Sequence, residues 1–337
     1  MGRDARAGFL TRRRDLDEDD VRVRPGRGSR PRTRTRPLHT EADSGFVVAV
    51  DRGRFTCVVG DRTVTAMRAR ELGRRAVVVG DRVAIVGDTS GEVDALARIV
   101  RLEPRTTVLR RTADDTDPVE RVVVANAEQL VIVTALADPP PRVGFIDRCL
   151  VAAFDAGLDA LLCLTKGDLA TPDELLGRYG DLDVAAVTTS HDTDPAELRQ
   201  RLAGRVSVFV GHSGVGKSTL VNRLVPDAYR VTGIVNVVTG RGRHTSSSAV
   251  ALRLPGGGWV VDTPGVRSFG LAHVRPADVL AGFSDLTQGA EHCPPGCEHM
   301  TEADGCTLDD WVRAGQATIA RLESYRRLLG ARLADPD

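Results

Sequence analysis

One glycine-rich stretch has the residue types that bind phosphate: Gly211, His212, Ser213, Gly214, Val215, Gly216, Lys217, Ser218 and Thr219. It fits the phosphate-loop pattern, in which glycines let backbone N–H groups turn toward phosphate oxygens. Lys217 is expected to reach the β- and γ-phosphates, and the Ser218 hydroxyl to bind Mg²⁺. The apolar run at 206–210 predicts a buried strand before the loop, and a helix follows whose N-terminus favours anions. These features predict a site for a nucleoside triphosphate.

Two further segments have the residues that sense a γ-phosphate. Asp262-Thr263-Pro264-Gly265 has the form D-x-x-G and follows an apolar strand. The Asp262 carboxylate is expected to bind Mg²⁺ through water, and the Gly265 N–H to contact the γ-phosphate. Thr245, in a glycine-rich segment, is the candidate switch threonine. The predicted catalytic residues are Lys217, Thr245, Asp262 and Gly265, and the predicted magnesium ligands are Ser218, Thr245 and Asp262.

The segment Thr165-Lys166-Gly167-Asp168 selects the base. It resembles N-K-x-D, in which the acid accepts hydrogen bonds from guanine N1–H and the exocyclic amine, groups that adenine does not present. Lys166 is expected to lie along the base, and Thr165 stands where Asn is commoner. The tripeptide Thr188-Thr189-Ser190, after the next strand, could place a backbone N–H on guanine O6, with Ser190 as the candidate binding residue. The chain contains only two lysines, Lys166 and Lys217, and both fall in these motifs. The expected nucleotides are therefore GTP and GDP.

A third kind of chemistry is indicated near the C-terminus, where Cys293, Cys297, His299 and Cys306 cluster. Three thiolates and one imidazole form a tetrahedral donor set of the kind that holds structural Zn²⁺. His292 is an alternative ligand, and a cluster without metal is the competing interpretation. The three other cysteines stand singly in apolar surroundings, which is typical of small core residues.

Short β-rich runs and turns occupy residues 45–105. Five such runs in about sixty residues predict a small barrel, for which an OB-fold is the natural candidate. Another small β-module is the alternative. From about residue 120, buried strands alternate with helices, which predicts a mostly parallel sheet covered on both faces. A helical pattern then runs from Leu308 to Leu328.

The 337-residue chain has zero net charge, distributed unevenly. Residues 1–111 hold 25 arginines against 16 acidic residues, so the N-terminal part is basic and suited to nucleic acid. Residues 1–40 have the composition of a disordered Arg-rich tail, which could bind RNA or simply remain solvated. No apolar run is long enough for a membrane span, and no secretory signal is evident, so a cytoplasmic location is expected without membrane partners.

The order of these motifs is unusual. The base-reading motif precedes the phosphate loop, and the switch motifs come last, so the GTPase is predicted to be circularly permuted. The chain resembles the ribosome small subunit-dependent GTPase A family, in residues 124–129, 211–219, 240–245 and 262–267. The predicted domains are a tail (1–40), an OB-fold RNA-binding domain (41–106), a circularly permuted P-loop GTPase (107–275) and a helical zinc-binding domain (276–337). Relative to that family's cysteine pattern, Cys297 and His299 stand one place early, whereas the outer span is unchanged.

The resemblance implies GTP hydrolysis stimulated by the small ribosomal subunit during its late maturation, with rRNA as a partner and a monomeric protein. Val266 stands where many GTPases have a glutamine that orients water, so slow intrinsic hydrolysis is expected. His244 is the nearest internal substitute, and a structural loop histidine is the alternative. Two other functions compete: an RNA-binding factor with a degenerate nucleotide site, and a permuted GTPase that acts on the large subunit.

Overall fold

Five short strands form the first part of the chain that the structure describes. This computed structural model describes residues 39–73, 76–112, 120–226, 249–263, 271, 273–301 and 305–333. Most of the predicted tail, 1–38, lies outside them. The strands are β1 (Asp43–Asp51), β2 (Arg54–Val59), β3 (Arg62–Arg68), β4 (Arg82–Gly87) and β5 (Ala97–Leu102), with a 3₁₀ turn at Arg70–Leu72. Each coincides with a β-rich run within about two residues at its start.

These strands close into a barrel. Strand β1 pairs with β2 on one edge and with β4 on the other, and β3 pairs in parallel with β5. The resulting order, β1-β2-β3-β5-β4 and back to β1, is that of a five-stranded OB-fold. Alternate residues point inward, so Val47, Cys57, Val64 and Ile99 are fully buried in its core. The predicted barrel is confirmed.

A hairpin that the sequence did not predict follows the barrel. Strands β6 (Val108–Arg111) and β7 (Arg121–Ala125) pair antiparallel as a separate two-stranded sheet. Val79 from the barrel forms a parallel bridge with Val124 of β7. The hairpin therefore stands between the barrel and the strands that follow.

The central sheet carries the nucleotide motifs. Its strands are β8 (Gln129–Ala135), β9 (Asp159–Thr165), β10 (Ala185–Thr188), β11 (Val206–Val210), β12 (Val250–Arg253) and β13 (Trp259–Asp262). Their spatial order is β10-β9-β8-β11-β13-β12, and all are parallel except β12, which pairs antiparallel with β13. The base-reading strand β9 thus precedes the phosphate-loop strand β11 in the chain, although both end at the same edge. This is the circularly permuted arrangement that the motif order predicts.

Four helices pack on this sheet: α1 (Val143–Asp155), α2 (Asp173–Tyr179), α3 (Ala196–Leu202) and α4 (Lys217–Leu224). Alternation along β8 separates the two faces. Leu130 and Ile132 belong to the apolar cluster that contains α1, whereas Val131 and Val133 belong to the cluster that contains α3 and α4. The sheet is therefore covered on both faces, as predicted.

The C-terminal part is helical and packs against α1. It contains α5 (Pro276–Leu280), α6 (Ser284–Ala290), α7 (Leu308–Arg313) and α8 (Ile319–Leu333). The long helical pattern of the sequence is interrupted between α7 and α8, where Gly315 adopts a φ of +74°. Leu322, Tyr325 and Leu328 of α8 are buried in the same cluster as α1. No helix among the described residues is long and apolar enough to cross a membrane.

Strand β1 also joins the barrel to the central sheet. Its first half pairs with β4, and further along the same edge Ala49 pairs with Val250 of β12. The ring of Phe46 lies 4.9 Å from that of Trp259 in β13. A register shift in β1 lies between Val47 and Ala49, where the strand changes partners. The barrel and the central sheet thus form one continuous eleven-stranded sheet.

Polar contacts reinforce this junction. The buried Asn126 donates from Nδ2 to the Gly80 carbonyl at 2.9 Å, and its Oδ1 accepts the Thr106 N–H at 2.9 Å. Asp81 is fully buried and accepts both Nε and Nη2 of Arg105, at 2.7 and 2.9 Å. A Cβ on Gly80 would lie 1.9 Å from the Ala125 carbonyl oxygen, so the two backbones approach too closely for any side chain.

Candidate functional site

The phosphate-loop sequence connects β11 to α4. Gly214 and Gly216 have φ values of +85° and +84°, a conformation that L side chains rarely adopt. At Gly211 the constraint is space, because a Cβ there would lie 2.5 Å from the Val133 carbonyl oxygen. Helix α4 begins at Lys217, so its N-terminus faces the loop. Backbone conformation therefore favours glycine at 214 and 216, and lack of space for a side chain requires it at 211.

Lys217 and Asp262 meet at the base of this loop. The Lys217 ammonium forms an ion pair with the Asp262 carboxylate and lies 3.5 Å from the Thr263 carbonyl oxygen. The Thr263 hydroxyl donates to the Phe209 carbonyl at 2.8 Å, which ties the end of β13 to β11. Both ion-pair partners are partly shielded, with side-chain exposures of 12% and 29%. The structure thus brings the phosphate lysine and the candidate magnesium carboxylate together.

Two other members of the loop are buried. His212 is 7% exposed, its Nδ1 lies 3.1 Å from the Ser213 carbonyl oxygen, and its ring meets Phe145 of α1 edge-on. Val215 packs in the core beneath α4, and its carbonyl accepts the Thr165 hydroxyl at 2.6 Å. These contacts hold the loop from below, whereas Ser213, Ser218 and Thr219 are exposed.

The base-reading motif lies at the end of β9. Thr165 supplies the hydroxyl that reaches Val215, so the residue found in place of Asn still ties this motif to the phosphate loop. Lys166 has a φ of +58°, and its ammonium donates to the carbonyl of Asp138. The Gly167 N–H donates to the Thr189 carbonyl at 3.0 Å. Asp138, in the loop after β8, was not singled out by the sequence, because a backbone carbonyl leaves no residue-type signal.

One cavity joins these motifs. Its volume is about 260 Å³, and its walls include Lys166 and Asp168 on one side and Gly216 and Thr219 on the other. Ser190 also borders it, as do other residues of β9, the loop after β10 and α4. The cavity is therefore bordered by the base-reading motif, the phosphate loop and Ser190.

Several predicted switch residues lie outside the described residues. They are Thr245, Gly265, Val266 and His244. The predictions for a switch threonine, a γ-phosphate contact and a missing water-orienting glutamine therefore remain predictions. Of the switch motifs, Asp262 and Thr263 are the members whose positions are known.

A second site lies in the helical C-terminal part. The ligand atoms of Cys293, Cys297, His299 and Cys306 all lie within 4.8 Å of one another. Cys293 Sγ is 3.9 Å from Cys306 Sγ and 3.4 Å from His299 Nδ1. Metal–sulfur bonds of about 2.3 Å in a tetrahedron would place sulfur atoms at comparable separations. This donor set fits a structural metal, and the shifted spacing does not prevent the four groups from converging.

Neighbouring residues hydrogen-bond to the cluster, and the alternative ligand His292 lies against another side chain. The Thr307 N–H approaches Cys293 Sγ at 3.4 Å, and the Arg326 Nε donates to the His299 carbonyl at 3.1 Å. Burial lowers the pKa of His299, which favours the neutral imidazole that binds metals. His292 instead stacks on Trp311, with ring centroids 6.2 Å apart. His292 is therefore not part of the donor set.

Comparison with known proteins gives consistent relatives. A family model described as RsgA GTPase matches residues 102–272. The small ribosomal subunit biogenesis GTPase RsgA of Chlorobaculum parvum is 35% identical over 305 residues, which cover 86% of this chain and 98% of that protein. The protein of the same description from Pseudomonas fluorescens is 39% identical over 265 residues, or 76% and 75% of the two chains.

Solved structures share the fold. YjeQ from Thermotoga maritima aligns with a TM-score of 0.62 at 25% identity, covering 87% of this chain and 99% of that one. YloQ, described as a circularly permuted GTPase, aligns with a TM-score of 0.63 at 20% identity, covering 88% and 97%. Both alignments therefore cover most of this chain and nearly all of the other.

Proposed function

The chain belongs to the RsgA GTPase family, and we propose that it binds the small ribosomal subunit and hydrolyses GTP to GDP and phosphate while assisting late maturation of that subunit. The relatives named small ribosomal subunit biogenesis GTPases support the partner. The observation that carries the nucleotide assignment is a cavity bordered by both Asp168 and Gly216. It lets one ligand contact a base-reading carboxylate and a phosphate loop at once.

The proposed roles of the residues combine the sequence motifs with the positions that the structure gives for the described members. The backbone N–H groups of 213–218 cradle the phosphates, and Lys217 exchanges its contact with Asp262 for phosphate oxygens. Asp168 accepts from guanine N1–H and the exocyclic amine, Lys166 lies along the base, and Ser190 directs its N–H at O6. Thr245 and Gly265 are proposed to report the γ-phosphate. Ser218, Thr245 and Asp262 offer the oxygen ligands that Mg²⁺ prefers, and that ion would neutralise charge on the phosphates.

We further propose that the metal held by Cys293, Cys297, His299 and Cys306 is zinc. Three cysteines and a histidine, with no free position, are typical of structural zinc sites. Its part in the protein is to stabilise a small helical module rather than to act on GTP.

The barrel is the proposed rRNA-binding surface. Its exposed basic side chains among the described residues are all arginines: Arg52, Arg54, Arg62, Arg68, Arg70, Arg82, Arg98 and Arg101. Arginine binds phosphate through a planar fork, and such contacts release counterions from RNA. The protein is proposed to act as a cytoplasmic monomer.

A side-by-side turnover assay tests the function. GTP hydrolysis by the full chain is measured alone, with purified small subunits and with purified large subunits. Slow turnover alone is expected, with stimulation by small subunits only. Fast hydrolysis by the free protein, or equal stimulation by both subunits, would contradict the proposal. The Lys217→Ala variant, assayed in the same way, measures how much of the GTP hydrolysis depends on this nucleotide site.

A competition experiment separates the nucleotide from the partner. Unlabelled GTP should displace a fluorescent GDP from the protein, whereas ATP should not. Preference for ATP would overturn the assignment of Asp168 without bearing on ribosome binding. Binding of small subunits in rising salt then tests the barrel, because affinity that depends on phosphate contacts falls steeply with salt.

A further inference from the structure

The loop after β10 is fixed at its first residue, whereas its middle is exposed. This loop, residues 189–195, is named the base loop below because Ser190 borders the nucleotide cavity. Its first residue is fixed: the Thr189 N–H donates to the Leu164 carbonyl at 2.7 Å, and its carbonyl accepts from Gly167. The next residues are polar, and those at 191–194 are exposed, so no apolar contact anchors the middle of the loop.

One guanidinium supplies the missing anchor. Arg223 of α4 donates from Nη1 to the Ser190 carbonyl at 2.7 Å, and from Nη2 to the Thr193 carbonyl. The Ser190 and Thr193 hydroxyl oxygens lie 2.9 Å apart, which closes the loop on itself. The Ser190 N–H donates to the Thr193 hydroxyl oxygen over a long 3.4 Å, a contact that a bound 6-oxo group would replace. Two carbonyls three residues apart thus share one planar donor, and a bidentate contact of this kind fixes orientation as well as distance.

Neither acidic residue of the loop is hydrogen-bonded to Arg223 in the described part of the chain: the Asp192 carboxylate lies 3.2 Å from His191 Nδ1. Asp194 is paired with Arg199 of α3 through two hydrogen bonds, at 2.6 and 2.9 Å. Among the described residues, the hydrogen-bond partners of Arg223 are the two base-loop carbonyls. Its guanidinium is therefore committed to the backbone of the base loop rather than to a carboxylate.

Helix α4 connects this contact to the phosphate loop. Lys217 is the first residue of α4, and Arg223 lies six residues later, about 9 Å along the axis. Thr219, Leu220 and Arg223 border the cavity from the same helix. Helix α4 therefore begins at the phosphate loop and also hydrogen-bonds to the base loop.

We propose that Arg223 is a specificity-determining positioning residue, which holds the Ser190 backbone where it recognises the 6-oxo group of a guanine nucleotide. The inference rests on the proposed GTP site and assigns a role to a residue outside its motifs. Arg223 acts through the base loop, so its loss should penalise purine nucleotides with a 6-oxo group and spare those without one.

Three diphosphates test this, because GDP and IDP differ only at the 2-amine, whereas ADP also lacks the 6-oxo group and the N1–H. GDP and IDP both carry the 6-oxo group, GDP alone carries the 2-amine that Asp168 reads, and ADP carries neither. In Arg223→Ala, the affinities for GDP and IDP should fall by the same factor, about tenfold for two lost charge-assisted hydrogen bonds in the loop. The affinity for ADP should not change. Arg223→Lys should recover part of the loss, because an ammonium still donates to a carbonyl.

Arg199→Ala is the matched control, since it also removes one arginine charge beside the base loop but bonds only Asp194. Its GDP affinity should equal that of the wild type. Parallel loss of GDP and ADP in Arg223→Ala, or no loss of either, would overturn the role of Arg223. A wild-type protein that binds ADP as well as GDP would instead overturn the proposed function. The two failures are therefore distinguishable in one titration series.

Discussion

The Thr165 hydroxyl shows how one side chain can join two motifs. It donates to the Val215 carbonyl at 2.6 Å, and the Thr134 carbonyl oxygen lies 3.3 Å away. Because the hydroxyl has one proton, it can donate to only one of the two carbonyls at a time. The side chain is buried, so water cannot replace that bond easily. The threonine at this position therefore keeps a link between base reading and phosphate binding.

Replacing Thr165 with Val should weaken GDP binding by about five- to tenfold, because a buried carbonyl of the phosphate loop loses its donor at nearly constant side-chain volume. Titration with a fluorescent GDP measures this. Thr165→Ser keeps the hydroxyl and should bind as the wild type does. Wild-type affinity in the Val variant would show that the hydroxyl does not support the loop.

At the scale of elements, side-chain bridges as well as an apolar core join the C-terminal helices to the rest of the chain. Arg321 of α8 reaches Asp285 at 2.6 Å and Asp183 at 3.0 Å, and its guanidinium lies 5.2 Å from the Phe283 ring centre. The Arg327 side chain pairs with the buried Asp147 of α1. These bridges link α8 to α6, to the loop before β10 and to α1.

Removing one metal ligand should release the metal and loosen this module. In Cys306→Ala, bound zinc should fall from about one per chain to well below that, and the melting temperature should drop, because metal binding supplies folding free energy to small modules. Elemental analysis and calorimetry measure both. Cys57→Ala alters a cysteine buried in the barrel and should keep its zinc. Equal zinc in both variants would exclude this cluster as the site.

The Arg326–Asp309 bridge should make stability depend on acid pH. The hydrogen bonds from Arg326 are the main cause that holds the pKa of Asp309 below its usual range. A lowered folded-state pKa adds stability that is complete above the ordinary aspartate pKa of about 4, and that stability is lost as pH falls through the folded-state value. The difference in free energy of unfolding between wild type and Asp309→Asn should therefore be constant at pH 6–7 and shrink below about pH 4. A difference that is independent of pH would contradict this.

At the scale of the whole molecule, the barrel and the GTPase sheet meet through backbone as well as side chains. Gly80 has a φ of +90°, and a Cβ there would overlap the Ala125 carbonyl oxygen. Asn126, itself at a φ of +54°, bonds to the Gly80 carbonyl. The junction is thus a packed interface in which the backbones of the two parts are in direct contact.

Gly80→Ala should therefore destabilise the protein by more than about 3 kcal/mol, because left-handed strain adds to a backbone overlap. Gly53→Ala is the control: its φ is +84°, but no atom lies within 4 Å of the added Cβ. It should cost only the strain, about 1–2 kcal/mol. Urea unfolding compares the two variants. Equal losses would mean that the junction opens without penalty.

Local sequence patterns predicted most of the strands and helices. Features that depend on contacts between residues distant in sequence were not predicted. Each strand of the barrel and sheet coincides with a β-rich or apolar run, since burial imposes a period on the chain. The hairpin β6–β7 was missed because its strands are only four and five residues long, although Leu109, Val124 and Ala125 are buried. Arg223 and Asp138 were missed because their roles depend on backbone carbonyls brought close by the fold. The single helical pattern beginning at Leu308 concealed the break at Gly315, since apolar spacing continues across it.

The pairing of Ala49 with Val250 has a consequence for synthesis of the chain. The two strands are about 200 residues apart, so at 5–20 residues per second the partner of β1 emerges roughly 10–40 s after β1 itself. During that interval the free half of the β1 edge has no neighbour, and an unpaired edge invites association between nascent chains. Elongation rate and chaperone supply should therefore determine how much of the protein accumulates in active form.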